Sequence, residues 1–284
     1  MNLLRGMLFV GLGAMVLGAG CGGSAIQHKR VEAVKSAAIV AVAAGLNIEN
    51  RGQGKGSGTA GSIQEMATMG TDEKVAERAV QGKAIYDALV AEIAESQGWA
   101  VKTREEVAND PVAKAMYVEK IGEASNFQLG GMRIYTPGIL WTERVGGLTA
   151  PERKKLHESL GVDALVFVNL LYVIGKTGPV TWKVGQDGVV TVSGPIPGTS
   201  AAYPAARFYL EVFDAEFPQS IWADSEVGPP ATLGVTTTMG IEHKTDMVPI
   251  LTEAAKTAWS ALVEAYKADK AEAEARAAEA AQAE

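Results

Sequence analysis

Apolar positions along the chain recur with two periods, and the alternation between them predicts the order of elements. Residues 37–44 read Ala-Ala-Ile-Val-Ala-Val-Ala-Ala, an uncharged run whose β-branched members favour a buried strand. A glycine-dense loop over 50–61 follows, and Ser62-Ile63-Gln64-Glu65 has the spacing of a capping box that starts a short helix. Val75, Ala79, Gly82, Tyr86, Leu89 and Ile93 then recur in steps of four and three, marking one face of a helix that Gly98 stops. Residues 99–103 read as a second strand, and Asp110-Pro111 opens a helix toward Ala124.

Residues 126–147 are broken by Gly130-Gly131, Pro137-Gly138 and Gly146-Gly147 and read as loop. Thr149-Ala150-Pro151-Glu152 is a second capping box, for a helix that ends before Gly161. The strongest strand covers 162–174: both of its alternating faces are largely apolar, as a strand covered on two sides requires, with Asn169 interrupting one face. Residues 180–184 and 189–192 flank Gln186-Asp187-Gly188 as a hairpin. Phe208, Leu210 and Val212 alternate with Arg207, Tyr209 and Glu211 in a half-exposed strand, which returns through 214–219 into a strand over 220–227. The last helix, capped by Asp246, carries the stripe Leu251, Ala255, Ala258, Leu262 and Tyr266. Beyond Lys267 only Ala/Glu repeats remain, a solvated helical extension or a frayed end. The expected fold is a single α/β domain over 37–267, with a mixed β-sheet flanked by helices, added hairpin and loop regions and a long C-terminal helix; 268–284 is a tail.

The first 36 residues follow neither period. Arg5 supplies a positive start, residues 7–16 a short apolar stretch, and Leu17-Gly18-Ala19-Gly20-Cys21 a run of small residues ending in the only cysteine. These are the three parts of an export signal. The last of them resembles the bacterial lipobox, which implies cleavage between Gly20 and Cys21 and lipidation of Cys21; Gly18 stands where that motif usually has leucine, the nearest being Leu17. An ordinary secretory signal and an uncleaved membrane helix are the alternatives. The apolar stretch is short of the roughly 20 residues that cross a bilayer, and Gly11, Gly13, Gly18 and Gly20 weaken it as a helix. Residues 21–36 are then a lipidated N-terminus and leash. A multiply acylated cysteine holds a protein firmly at a membrane. Residue 22 is Gly rather than the Asp associated with inner-membrane retention in enteric lipoproteins, which points to the outer membrane and the periplasm.

Composition narrows the function. The formal charge is −7, becoming −8 once Arg5 is removed with residues 1–20, and no cationic run suggests a nucleic-acid partner. One cysteine forms no internal disulfide, and with only three histidines a Cys/His metal cage is excluded. Gly56-Ser57-Gly58-Thr59-Ala60-Gly61 matches a dinucleotide-binding pattern in letters only, because about a dozen residues separate it from the preceding strand. His28 lies in the leash, His157 on a short helix and His243 in a loop, with no catalytic partner indicated by spacing. The carboxylate pairs Asp214/Glu216 and Asp224/Glu226 fall on an exposed hairpin, where solvation or a weak cross-strand pairing with the Arg207/Glu211 face is the ordinary fate. No catalytic residue, cofactor or metal ligand is therefore assigned.

Four stretches resemble an envelope lipoprotein family that includes the curli secretion channel protein CsgG, the penicillin-binding-protein activator LpoB and the N-terminal domain of TolB. They are the strand over 37–44; Gly98-Trp99-Ala100-Val101-Lys102-Thr103-Arg104; Leu160-Gly161-Val162-Asp163-Ala164-Leu165-Val166; and the strand–turn–strand of 208–214 with 220–223, whose turn lacks the glycine usual in the family. The resemblance spans roughly 37–265. It implies an α/β fold and a role as a non-enzymatic accessory or binding component of an envelope assembly, with an envelope protein as partner. Its channel-forming members imply an alternative, a homo-oligomeric outer-membrane secretion subunit. Their transmembrane hairpins would fall at 175–204 and 228–245; the runs 180–184 and 189–192 are shorter than the roughly 9–11 residues of a spanning strand, and 228–245 is broken by Pro229-Pro230.

Overall fold

In a computed structural model of the chain, the residues described are 26–47, 72–123, 133–134, 136–140, 148–176, 181–184, 190–193, 201–216, 219–229, 235–236 and 247–283. The helix start at 62–65, the glycine-dense loop over 50–61 and the cap at Asp246 lie outside them.

The fold is α/β, built on a mixed, open sheet. Its strands are β1 (Ser36–Asn47), β2 (Ala100–Val101), β3 (Arg133–Ile134), β4 (Ala164–Lys176), β7 (Ala201–Asp214), β8 (Trp222–Val227) and β9 (Val235–Thr236). Along the main path the order is β2-β1-β4-β7-β8, with β3 on β1 and β9 on β7. β1 runs parallel to β2 and β4, whereas β4–β7 and β7–β8 are antiparallel. β5 (Thr181–Val184) and β6 (Val190–Ser193) form the expected hairpin as a separate two-stranded sheet. The helices are α1 (His28–Ala33), α2 (Asp72–Gln97), α3 (Arg104–Asn109), α4 (Pro111–Glu123), α5 (Ala150–Leu160) and α6 (Met247–Ala283).

Local chemistry fixes several of the helix ends. Thr149 and Glu152 close a capping box at the start of α5, and Thr103 and Glu106 close another at α3. Asp110 accepts from the backbone N–H groups of Val112 and Ala113 in the first turn of α4, while its other oxygen accepts from Ser159 of α5. Gly98 and Gly161 take positive φ beyond α2 and at the end of α5, the conformation glycine adopts without a Cβ penalty.

α2 and α6 cover one face of the sheet. Tyr86 of α2 donates to the Ile39 carbonyl of β1, and Tyr172 of β4 donates to the Leu251 carbonyl of α6. The indole N–H of Trp259 donates to Ser96 at 2.9 Å, joining the two helices. Phe208, Trp222, Trp259 and Tyr266 form a continuous ring cluster beneath α6, with centroids 4.7–5.9 Å apart. Gly228, just after β8, passes so close to α6 that a Cβ there would lie 2.6 Å from the backbone of Ala258. The small residues Ala254, Ala255 and Ala258 make that approach feasible. On the opposite face α5 packs over Phe167 and Phe213, with the Arg153 guanidinium 4.3 Å from the Phe213 ring centre. Tyr209 and Val227, on strands β7 and β8, remain partly exposed.

Two readings from sequence need correction. The stretch over 126–147 is not wholly loop: Arg133–Ile134 pairs with the end of β1, and Leu140 bridges Ala41, burying Ile134, Ile139 and Leu140. Nor does the leash extend to Ser36. His28–Ala33 is helical, with Val31 and Val34 buried in the common core.

Candidate functional site

The feature carrying a functional signal in the sequence is the N-terminus, and the structure shows where it enters the domain. Cys21, Gly20 and the whole of residues 1–20 lie outside the described residues, as does His243. Ile26 already packs against the core. The Gln27 N–H donates to the Ile221 carbonyl, just before β8, at 2.7 Å.

α1 is only six residues long and is held by long-range partners, since a helix of this length has little stability of its own. Arg30 donates to the Asp214 carboxylate at 2.7 Å, with Glu216 at 3.9 Å from the same guanidinium nitrogen. His28 Nε2 meets Asp269 of α6 at 2.9 Å, and its ring lies 5.2 Å from that of Tyr266. Glu32 pairs with Lys270 of α6. That contact holds the Glu32 carboxyl below its usual pKa and raises the Lys270 ammonium. His28 is thus docked against the C-terminal helix.

Just beyond α1, Asp163 pins the start of β1 to the start of β4. Its Oδ2 accepts from the N–H groups of Lys35 and Ser36 and from the Ser36 hydroxyl, at 2.9–3.0 Å. In return its own N–H donates to Ser36. The Lys35 and Ser36 hydrogen bonds hold its carboxyl below the usual range. One end of the domain therefore gathers the chain entry, the start of β1, Asp163 before β4, the β7–β8 turn and the Tyr266–Lys270 stretch of α6.

The other residues singled out in the sequence do not converge. His157 is buried in α5, and its Nδ1 donates to the Val162 carbonyl at 3.2 Å. Burial lowers its pKa, opposed by the Val162 carbonyl and the Asp214 carboxylate. Glu211 is half-buried, its Oε2 finds no hydrogen-bond partner among the described residues, and burial raises its carboxyl despite the charge of Arg153. Asp214 is engaged by Arg30, whereas Asp224 Oδ1 accepts from the neighbouring Ser225 N–H and Arg207 donates to Tyr209. Asn169 faces Ala43 on one side and Tyr209 on the other in the sheet register. Among the described residues no group of three His, Cys, Asp or Glu side chains is placed to hold a metal ion. No helix among them is long and apolar enough to cross a membrane.

Sequence reasoning missed the docked α1 and the Asp163 hub. No family model matches the chain, and no curated protein matches it either.

Proposed function

We propose that this chain is a bacterial envelope lipoprotein: residues 1–20 are an export signal, Cys21 carries the lipid, and the α/β domain faces the periplasm, tethered to the outer membrane. The domain is a non-enzymatic accessory component that binds another envelope protein. The observation that carries this reading is the position of Cys21 relative to the fold. The described residues begin at Ile26, five positions beyond the cysteine, so cleavage there would remove none of the described fold. The export-signal pattern before the cysteine supplies the remainder of the argument.

The channel reading rests on the family resemblance. The described strands β5 and β6 hold four residues each and pair with one another, shorter than the roughly 9–11 residues of a spanning strand. Cross-linking in intact cells, followed by identification of the products, tests the accessory role. A specific envelope protein captured at native abundance is expected. Capture of only further copies of the chain, together with a large closed ring by mass in detergent, would transfer the reading to the channel. Turnover abolished by a single polar substitution would point to an enzyme instead.

A further inference from the structure

The described chain begins at the end of the domain from which the C-terminal helix leaves. The entering chain is fixed there by Gln27 on Ile221, Arg30 on Asp214, and His28 and Glu32 on Asp269 and Lys270. α6 packs against the sheet up to Tyr266, passes α1 at 266–270, and continues helical to Ala283 with residues 271–282 exposed. Those last thirteen residues, 271–283, project about 20 Å at 1.5 Å per residue. Ile26 lies five positions beyond Cys21, and five steps of chain reach at most about 18 Å fully extended. The projecting helix is therefore at least as long as the greatest reach of that tether.

We infer that the domain stands on the bilayer with the α1–α6 crossing toward the lipid, so that the exposed end of α6 occupies the space between domain and headgroups. This rests on the lipid-tether reading proposed above. The sheet lies on the far side of that crossing, with the starts of β1 and β4 near it and the ends that carry β3 and β9 away from it. A short tether fixed at the end of a body, and not along its flank, leaves the body little choice of which end to present. Two pairs on the projecting turns, Lys270 with Glu274 and Arg276 with Glu272, brace the helix locally. Its net acidic sequence gives it no attraction to anionic headgroups. It serves as a spacer between the domain and the headgroups.

The test uses the native lipoprotein, purified in detergent and reconstituted into phosphatidylcholine vesicles that carry an energy-transfer acceptor on the headgroup. Lipidation blocks Cys21, so a donor dye is placed on a single new cysteine, Glu279→Cys or Pro249→Cys. Both sites are exposed, and they lie on one helix thirty residues, or about 45 Å, apart. Lys256→Cys is the second distal site should Pro249→Cys disturb the fold. Transfer from position 279 is expected to be several-fold stronger than from 249. Equal transfer, or stronger transfer from 249, in protein that floats with the vesicles overturns the orientation and leaves the tether intact. Protein that does not float overturns the tether, and the orientation with it.

Discussion

The two halves of α6 are helical for different reasons. From Leu251 to Tyr266 the helix is written by the core: Leu251, Ala254, Ala255, Ala258, Trp259, Leu262, Val263 and Tyr266 are buried against the sheet and α2. From 271 to 282 every residue is exposed, and alanine propensity with Glu–Arg and Lys–Glu pairs one turn apart sustains the backbone. The boundary falls where α1 crosses. One continuous helix thus contains a part whose sequence is dictated by packing and a part on which packing makes no demand. The second part is free to serve geometry.

The largest effect separating the halves is expected at Trp259, which is buried between Phe208 and Trp222. Trp259→Ala should cost about 3–5 kcal/mol by leaving a cavity, read as a lower midpoint in urea unfolding. A loss below about 1 kcal/mol would show that the ring cluster does not hold α6 to the sheet. Gly228→Val tests the same half from the sheet side. Its Cβ would meet the Ala258 backbone, which no rotamer change relieves, and overpacking of this kind costs about 1–3 kcal/mol. At the boundary, Arg30→Ala leaves the mostly buried Asp214 carboxylate without its Arg30 partner. The expected loss is about 1–3 kcal/mol, with faster proteolysis near residue 30 as the local readout.

The face away from α6 is expected to supply acid sensitivity. Because burial lowers the His157 pKa, the folded protein resists the proton that the unfolded chain accepts near 6.5. The stability His157 contributes is therefore complete above that value and is lost as pH falls through the folded pKa. Glu211 has the opposite sign. Its raised pKa favours the folded state at low pH and penalises it above the ordinary value of 4.5. His157→Asn keeps a donor for the Val162 carbonyl and removes the titration. Between pH 7.5 and 5.5 its melting temperature should fall less than that of the parent chain; parallel curves would rule out His157 as the sensor. The smallest effect is expected at the tip of α6. Deletion of 271–284 should change stability by no more than about 0.5 kcal/mol, and a larger loss would mean that the extension packs on the domain.

Legibility from sequence followed the same division. Where one segment carries its own signal, the structure agrees: the capping box at Thr149, the Asp110 cap, Gly98 as a stop and the Phe208–Leu210–Val212 alternation all stand as read. The elements that escaped are short or non-local. α1 and α3 hold six residues each, too few to display a period, although Thr103-Arg104-Glu105-Glu106 did carry a capping box in plain view. β3 and Leu140 were hidden among glycines and prolines, because their burial comes from pairing with β1 nearly a hundred residues earlier. Asp163 sat within a recognised stretch, but its role depends on Lys35 and Ser36, 128 and 127 positions away. Of the candidate site, the pattern around Cys21 is carried by the sequence alone. The docked helix α1 was not legible there, since each of its partners lies far along the chain.

The central claim is the lipid on Cys21, and the most direct measurement is intact mass and palmitate incorporation for the membrane-extracted protein beside Cys21→Ala. The account predicts a mature chain beginning at Cys21, heavier than its amino acids by its acyl groups and labelled by palmitate, and an unlabelled Cys21→Ala chain. An unlabelled parent chain that still begins at Met1, or one cut at another residue and freely soluble, would contradict it.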